Sequence, residues 1–124
     1  MEPRPARVLI VDDSVDSTEL LAKLVARRGH QVQIAHDVEQ ALRVAQEFRP
    51  SVALLDIMIR CESGYFLAQE LRALPGMQGC RVIAMTGFDR DEHRQASKAA
   101  GFRSHLTKPI DIEVLFDAIE APEA

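Results

Sequence analysis

Apolar and polar residues follow one another along this chain in two different rhythms. Five short runs are rich in apolar residues, as β-strands are, and they span residues 7–11, 31–35, 52–56, 81–85 and 102–106. Between these runs, apolar residues recur every three or four positions, which is typical of helices with one buried face. Strands that alternate with helices along a chain predict a parallel sheet covered by helices on both faces.

Capping residues mark the starts of the predicted helices. A short polar side chain that can accept a hydrogen bond from a first-turn N–H precedes four of the five, at Ser14, Asp37, Asp89 and Asp111. Asp37 is followed three positions later by Gln40, as in a capping box. The third helix is expected after Gly64. The last helix is predicted to turn four apolar side chains towards the core: Val114, Leu115, Ala118 and Ile119.

The composition of the strands predicts their order in the sheet. The run 52–56 is apolar up to Asp56, as in a central strand buried on both faces, whereas the run 31–35 alternates with polar residues, as at a sheet edge. The order 2-1-3-4-5 suits five such strands, with right-handed crossovers. We therefore expect an α/β fold with one doubly wound, five-stranded parallel sheet flanked by five helices. Residues 1–124 would form one domain with a core of about 6–121.

Polar side chains stand where four of these strands end. Asp12 and Asp13 follow the first strand, Asp56 ends the third, Thr86 ends the fourth and Lys108 follows the fifth. In the expected order these strands are consecutive neighbours, and ligands of open α/β sheets bind at this carboxyl edge. Each residue alone could be a helix cap, a strand end or a solvated loop charge. Their joint placement favours a functional site.

The chemistry of these side chains indicates a phosphoryl site with a metal ion. Clustered carboxylates repel one another unless a cation joins them, and hard oxygen ligands suit Mg²⁺. A hydroxyl and an ammonium group opposite a metal-bound carboxylate are what phosphoryl oxygens require. Neither G-x-G-x-x-G after the first strand nor G-x-x-x-x-G-K-[ST] occurs, so nucleotide binding is only weakly supported.

Charge and composition exclude several other classes. The net charge of −4 over 124 residues argues against a nucleic-acid partner. No run approaches the ~20 apolar residues of a membrane helix, and residues 1–7 lack the apolar core of a signal peptide. Cys61 and Cys80 show no metal-ligand spacing, which indicates free thiols in a reducing compartment. We expect a cytoplasmic protein with no membrane segment.

At these positions the sequence resembles the receiver domain of bacterial response regulators, the two-component signalling family. The resemblance runs from Arg7 to the last predicted helix and rests on four motifs: Val11-Asp12-Asp13, Leu54-Leu55-Asp56, Met85-Thr86-Gly87 and Thr107-Lys108-Pro109. The separations of 30 positions from Asp56 to Thr86 and 52 to Lys108 are similar to the family's. The resemblance implies the flavodoxin-like fold. Residues 87–88, 99–102 and 105–109 look most like receivers of hybrid histidine kinases.

The resemblance also implies roles for the site residues. Asp56 would accept a phosphoryl group from the phosphohistidine of a histidine kinase or a histidine phosphotransfer domain. Asp13, Asp56 and the backbone carbonyl of Met58 would bind Mg²⁺, and Asp12 would hold it mainly through water. Thr86 and Lys108 would contact the phosphoryl oxygens. Such a chain is no enzyme in the ordinary sense, because it catalyses only its own phosphorylation and dephosphorylation.

Two departures from the family concern the response to phosphorylation. His105 occupies the switch position, where the family usually has Tyr or Phe, and Arg60 replaces the usual proline four residues after the acceptor. The face formed by the fourth predicted helix, the fifth strand and the fifth helix is expected to change on phosphorylation, and it could pair two copies as a homodimer. The chain ends just after the fifth helix, so we expect either a stand-alone receiver or a piece of a larger protein.

Two other functions remain open at this point. A phosphorylation-independent interaction module on the same fold usually lacks one of the acids, the acceptor or the lysine, and all of these are present here. A Mg²⁺-dependent phosphohydrolase with an aspartyl nucleophile places a second acid two residues after that nucleophile, where this chain has Met58.

Overall fold

The structure, a computed structural model, describes residues 6–56, 58–59, 62–77, 79–86, 104–107 and 110–120. Its elements in chain order are β1 (Arg7–Val11), α1 (Val15–Arg27), β2 (Gln31–Ala35), α2 (Val38–Phe48), β3 (Val52–Asp56), β4 (Met58–Ile59), β5 (Glu62–Ser63), α3 (Gly64–Ala73), β6 (Arg81–Thr86), β7 (Ser104–Thr107) and α4 (Ile112–Glu120). The predicted fourth helix, between Asp89 and Gly101, lies outside the described residues.

The main sheet has five parallel strands in the order β2-β1-β3-β6-β7. Since β6 and β7 are the fourth and fifth strands of this sheet along the chain, the predicted order 2-1-3-4-5 is confirmed. The polar strand β2 lies at an edge, and β3 lies at the centre with every residue buried. The observed β7 begins at Ser104 and ends at Thr107, one residue beyond the predicted end.

A small antiparallel hairpin after β3 was not predicted. Met58 pairs with Ser63 and Ile59 with Glu62, so that β4 and β5 form a separate two-stranded sheet. The sequence analysis predicted no strand between Asp56 and Gly64, so it missed this hairpin. Strands of two residues are too short to show the alternation on which strand prediction depends.

Alternate residues of each central strand enter two different cores. Leu55 of β3 packs with α2 and α3 on one face of the sheet, together with Leu9, Ala41, Leu67 and Leu71. Leu54, the preceding residue, packs with α1 and α4 on the other face, together with Ile10, Val25, Leu115 and Ile119. Burying one leucine stabilises a fold by roughly 1.5–3 kcal/mol, so both faces contribute. The sheet is doubly wound, as predicted.

Three of the four predicted helix caps are observed, with one change of partner, and the fourth, Asp89, lies outside the described residues. Ser17 N–H donates to Ser14 Oγ at 3.4 Å, and Gln40 N–H donates to Asp37 Oδ1 at 2.7 Å. Glu113 N–H likewise donates to Asp111 Oδ1 at 2.9 Å. The Gln40 side chain accepts from the backbone of His36 rather than from Asp37, so it is not the second half of a capping box.

The prediction that Val114 of the last helix faces the core was wrong. Leu115 and Ile119 are fully buried, but Val114 is 48% exposed. Successive helix residues lie about 100° apart around the axis, so Val114 falls beside the buried stripe and not on it.

The last turn of α4 is held at the end of the sheet where the strands begin. The Glu120 carboxylate accepts from Arg28 Nε at 2.7 Å and from Arg28 Nη2 at 2.9 Å, and it lies 2.9 Å from His30 Nε2. These contacts, first of all the Arg28 hydrogen bond, lower the pKa of Glu120 to about 2. Arg81 Nη2 donates to the Ile119 carbonyl at 2.6 Å. The last turn is therefore held by the side chains of Arg28, which caps the end of α1, His30, which precedes β2, and Arg81, which begins β6.

Candidate functional site

Three carboxylates meet at the carboxyl edge of the two central strands. Asp56 is the last residue of β3, and Asp12 and Asp13 directly follow β1. Val11 pairs with Leu55, so both strands reach the edge at the same level. One oxygen from each of the three carboxylates lies within 4.8 Å of the others. The convergence of these three carboxylates, which the sequence predicted, is therefore observed.

This group has the geometry of a cation site. Oxygens that share one Mg²⁺ at about 2.1 Å lie about 3–4 Å from one another, and small side-chain movements would bring oxygens within 4.8 Å of one another to that spacing. Asp12 and Asp56 are buried, with exposures of 1% and 8%, whereas Asp13 is exposed. Buried carboxylates require a compensating charge, and the exposed side gives an ion access from solvent. The residues present thus fit a hard divalent cation.

Backbone hydrogen bonds fix the position of Asp12. Ser14 N–H donates to Asp12 Oδ1 at 2.9 Å, and Asp12 N–H donates to the Ala35 carbonyl at 3.2 Å. The ring of His36 completes the set, because its Nδ1 lies 2.9 Å from the Asp12 carbonyl oxygen. The sequence analysis missed His36. Its position directly after the second strand, beside the first strand in the 2-1-3 order, was the only available signal.

The fourth and fifth strands of the sheet reach the same edge. Met85 of β6 pairs with Asp56, so Thr86 stands one residue beyond the level of Asp56, and Thr86 pairs with Thr107 of β7. Lys108 is the residue after Thr107 and lies outside the described residues, as does Arg60. For Thr86, Met58 and His105 the structure describes the backbone, so the roles predicted for the Thr86 and His105 side chains stay predictions.

An apolar groove opens beside the carboxylates. It has a volume of about 380 Å³, and its lining comprises Asp12, Ser17, Leu20, Leu21, Leu24, Ile110 and Ile112. Two large apolar side chains of α1 are exposed in this region of the chain, Val15 by 50% and Leu20 by 61%. Large contiguous apolar patches on protein surfaces are often binding sites for a partner, which makes this groove a candidate docking surface.

Comparison with known proteins decides the family. The family model of the response regulator receiver domain matches residues 8–120. The chain belongs to this family. Its carboxylate cluster therefore lies at the carboxyl edge of a receiver domain, and the fold observed here is the receiver fold.

Individual receiver proteins are similar over nearly the whole chain. Sporulation initiation phosphotransferase F of Bacillus subtilis is 32% identical over 92% of this chain and 90% of its own length. The chemotaxis protein CheY4 of Vibrio cholerae superposes with a TM-score of 0.87 at 27% identity, over 92% of this chain and 95% of that one. A response regulator of Burkholderia pseudomallei, solved with a phosphorylated aspartic acid, calcium ion and citrate, has a TM-score of 0.85 at 25% identity, over 93% and 66%.

Two other sequence expectations concern features away from the site. Cys80 is a buried free thiol whose pKa burial raises to about 11, so it carries no reactive thiolate at neutral pH. Cys61 lies outside the described residues. Among the helices that the structure describes, none combines the length and the apolarity needed to cross a membrane.

Proposed function

We propose that this receiver domain takes a phosphoryl group onto Asp56 from the phosphohistidine of a histidine kinase or a histidine phosphotransfer domain. The observation that carries the proposal is the convergence of three carboxylates within 4.8 Å at the end of the central strand. Asp56 is the acceptor because β3 lies between β1, which supplies the other acids, and β6, which ends at Thr86. The alternative of a phosphorylation-independent module leaves this convergence without a purpose.

The transfer is an in-line displacement at phosphorus. An Asp56 oxygen forms the new bond to phosphorus while the bond to the histidine nitrogen breaks, and the electron pair returns to the imidazole. Mg²⁺ bound by Asp13, Asp56 and the Met58 carbonyl, with Asp12 acting mainly through water, would neutralise negative charge on the transferred group. Thr86 and Lys108 hold the remaining phosphoryl oxygens from the neighbouring strand ends.

The printed descriptions of two similar proteins support this chemistry. The Bacillus relative is named a phosphotransferase, and the Burkholderia regulator carries a phosphorylated aspartic acid together with a divalent cation. Both properties belong to those proteins. They favour phosphoryl transfer over hydrolysis for a chain of the same family that brings three carboxylates together.

The donor domain docks in the apolar groove between α1 and the segment that enters α4. This groove adjoins Asp12, so a helix seated there would bring its phosphohistidine towards Asp56.

Phosphorylation then changes the surface around His105 and α4. This surface serves as the output face and would also pair two copies as a homodimer. The domain acts in the cytoplasm, and it processes no substrate beyond its own phosphoryl group.

Incubation with acetyl phosphate and Mg²⁺, followed by intact-protein mass spectrometry, tests the proposal. One added phosphoryl group that persists for minutes is expected, and it should be absent from Asp56→Asn and nearly absent from Asp13→Ala. Substantial label in Asp56→Asn would overturn the acceptor assignment. Rapid phosphate release without accumulation would indicate a phosphohydrolase. Neither modification nor release would indicate the phosphorylation-independent module.

A further inference from the structure

His36 is joined to the acidic site through the backbone of Asp12. Its Nδ1 lies 2.9 Å from the carbonyl oxygen of Asp12. A carbonyl oxygen can only accept, so Nδ1 carries the hydrogen and donates it. This carbonyl belongs to the peptide group that links Asp12 to Asp13. The imidazole therefore holds the peptide plane from which the exposed carboxylate of the cluster projects.

The backbone of His36 is held by the start of α2. The backbone N–H of His36 donates to Gln40 Oε1 at 2.8 Å, and Gln40 N–H donates to the Asp37 cap of α2 at 2.7 Å. The ring is half-buried where β2 turns into α2. A residue whose backbone is anchored at a helix start presents its side chain from a fixed position, as the outer-shell partners of metal ligands do.

The last residue of β2, Ala35, and the next residue, His36, thus both hold Asp12. Asp12 N–H donates to the Ala35 carbonyl, and the Asp12 carbonyl accepts from His36. With Ser14 N–H on the side chain, the backbone and the carboxylate of Asp12 are all fixed. Rotation of the Asp12–Asp13 peptide would move the Asp13 carboxylate, and a metal ion tolerates little displacement of its ligands.

We propose that His36 is a positioning residue for the cation site, acting through its Nδ1–H bond to the Asp12 carbonyl. The proposal rests on the proposed function, because it assumes that the cluster binds Mg²⁺. It assigns His36 no contact with the metal or with the phosphoryl group. Its effect is on the affinity for Mg²⁺ and not on the phosphoryl-transfer step once the metal is bound.

Replacing His36 by amides of different length separates this role from a general one. The amide nitrogen of His36→Asn can stand near the position of Nδ1 and keep the donor, whereas His36→Gln reaches the position of Nε2 and His36→Phe keeps a ring without any donor. Mg²⁺ titration by calorimetry should give near wild-type affinity for His36→Asn. His36→Gln and His36→Phe should bind Mg²⁺ about tenfold more weakly, at the low end of such outer-shell effects.

Three further measurements make the test decisive. Acetyl phosphate labelling at saturating Mg²⁺ should proceed at the wild-type rate in all three variants. The Mg²⁺ concentration for half-maximal labelling should rise in His36→Gln and His36→Phe. Melting temperatures in EDTA show how much each variant has lost in stability alone. Gln33→Ala, at an exposed position of β2, the strand that precedes His36, should leave the Mg²⁺ affinity unchanged.

Each outcome bears on the proposal separately from the function of the site. Equal Mg²⁺ affinity in wild type, His36→Gln and His36→Phe would overturn the proposal, even if labelling of Asp56 proceeds normally. Weakened affinity in His36→Asn as well as in His36→Phe would overturn it too, because the N–H donor would not be what matters. A wild type that binds no Mg²⁺ would overturn the proposed function, and this inference with it. Nitrogen NMR showing no hydrogen on Nδ1 would contradict the bond directly.

Discussion

Val11 and Leu55 are register partners in neighbouring parallel strands, and the residue after each is a buried aspartate. Asp12 and Asp56 therefore leave the sheet side by side, with Asp13 within reach of both. Holding like charges together in a fold is unfavourable unless a cation compensates for them. The pairing of two apolar residues thus brings together the acids of the site, and we expect a cation to stabilise them.

Mg²⁺ should stabilise this domain against unfolding. A ligand that binds only the folded state adds about 2.7 kcal/mol at one hundred times its dissociation constant. We expect the melting temperature to rise with Mg²⁺ at constant ionic strength, and Asp13→Asn to remove most of that rise. Asp16→Asn, the same change in the first turn of α1 and outside the cluster, should keep it. A rise of equal size in Asp13→Asn would place the metal elsewhere.

The exposed apolar side chain of Leu20 should matter for the donor protein and not for the chemistry. Leu20→Arg is expected to slow phosphoryl transfer from a phosphohistidine domain about tenfold, because it puts a charge into an apolar contact. Labelling by acetyl phosphate should be unchanged. Phe66→Arg is the matched control, since Phe66 is 49% exposed on α3, which covers the other face of the sheet. Equal slowing in both variants would argue against the groove as the docking site.

Lys108 should be needed less for the uptake of the phosphoryl group than for the structural change that follows it. The residue follows Thr107, whose partner is Thr86 at the end of β6. We expect Lys108→Ala to accept phosphate from acetyl phosphate slowly but to lose the NMR shifts that phosphorylation produces in β7 and α4. Lys108→Arg retains the charge and should keep part of those shifts. Full shifts in Lys108→Ala would mean that the signal leaves the site by another strand.

Beryllofluoride, which mimics a phosphoryl group on Asp56, should move the ring signals of His105. The backbone of His105 pairs with Ala84, two residues before Thr86, so a change at the end of β6 has a short path to this strand. His105→Phe should retain the response of the α4 backbone. If the α4 signals move while the ring signals of His105 stay fixed, this residue is not the switch.

Acid should weaken the attachment of α4 in a defined pH range. Arg28 and His30 lower the pKa of Glu120 from 4.5 to about 2 in the folded protein, so the carboxylate contributes stability above pH 4.5 and loses it as the pH falls towards 2. At pH 7 we expect Glu120→Gln to lower the melting temperature by about 5 °C. The difference from wild type should shrink between pH 4.5 and 2. Glu39→Gln, which disturbs only an exposed pair with Arg43, should cost little at any pH.

The sequence alone predicted the framework of the site because the framework follows from local patterns. The strands Arg7–Val11, Gln31–Ala35 and Val52–Asp56 are where the apolar runs placed them, and their order follows from the burial that each run requires. Once the order is known, the meeting of Asp12, Asp13 and Asp56 follows too.

What the sequence did not predict depends on contacts between distant positions or on very short elements. The bond from His36 to the Asp12 carbonyl joins residues 24 positions apart, and a backbone carbonyl has no signature in a sequence. The β4–β5 hairpin is too short to show a period. The exposure of Val114 depends on where α4 settles on the sheet, which its own apolar residues leave open over a wide arc.

The held end of α4 decides where this helix can show movement. Glu120 and the Ile119 carbonyl are tied to Arg28, His30 and Arg81, whereas the first turn, at Ile112, borders the groove beside Asp12. The helix is thus held at its last turn, and a tilt about that turn would displace its first turn. Its nine residues span about 13 Å, so a tilt of about 5° moves the first turn by about 1 Å and the last turn hardly at all. A protein that binds near Ile112 would sense the state of the acidic site, and one that binds near Glu120 would not.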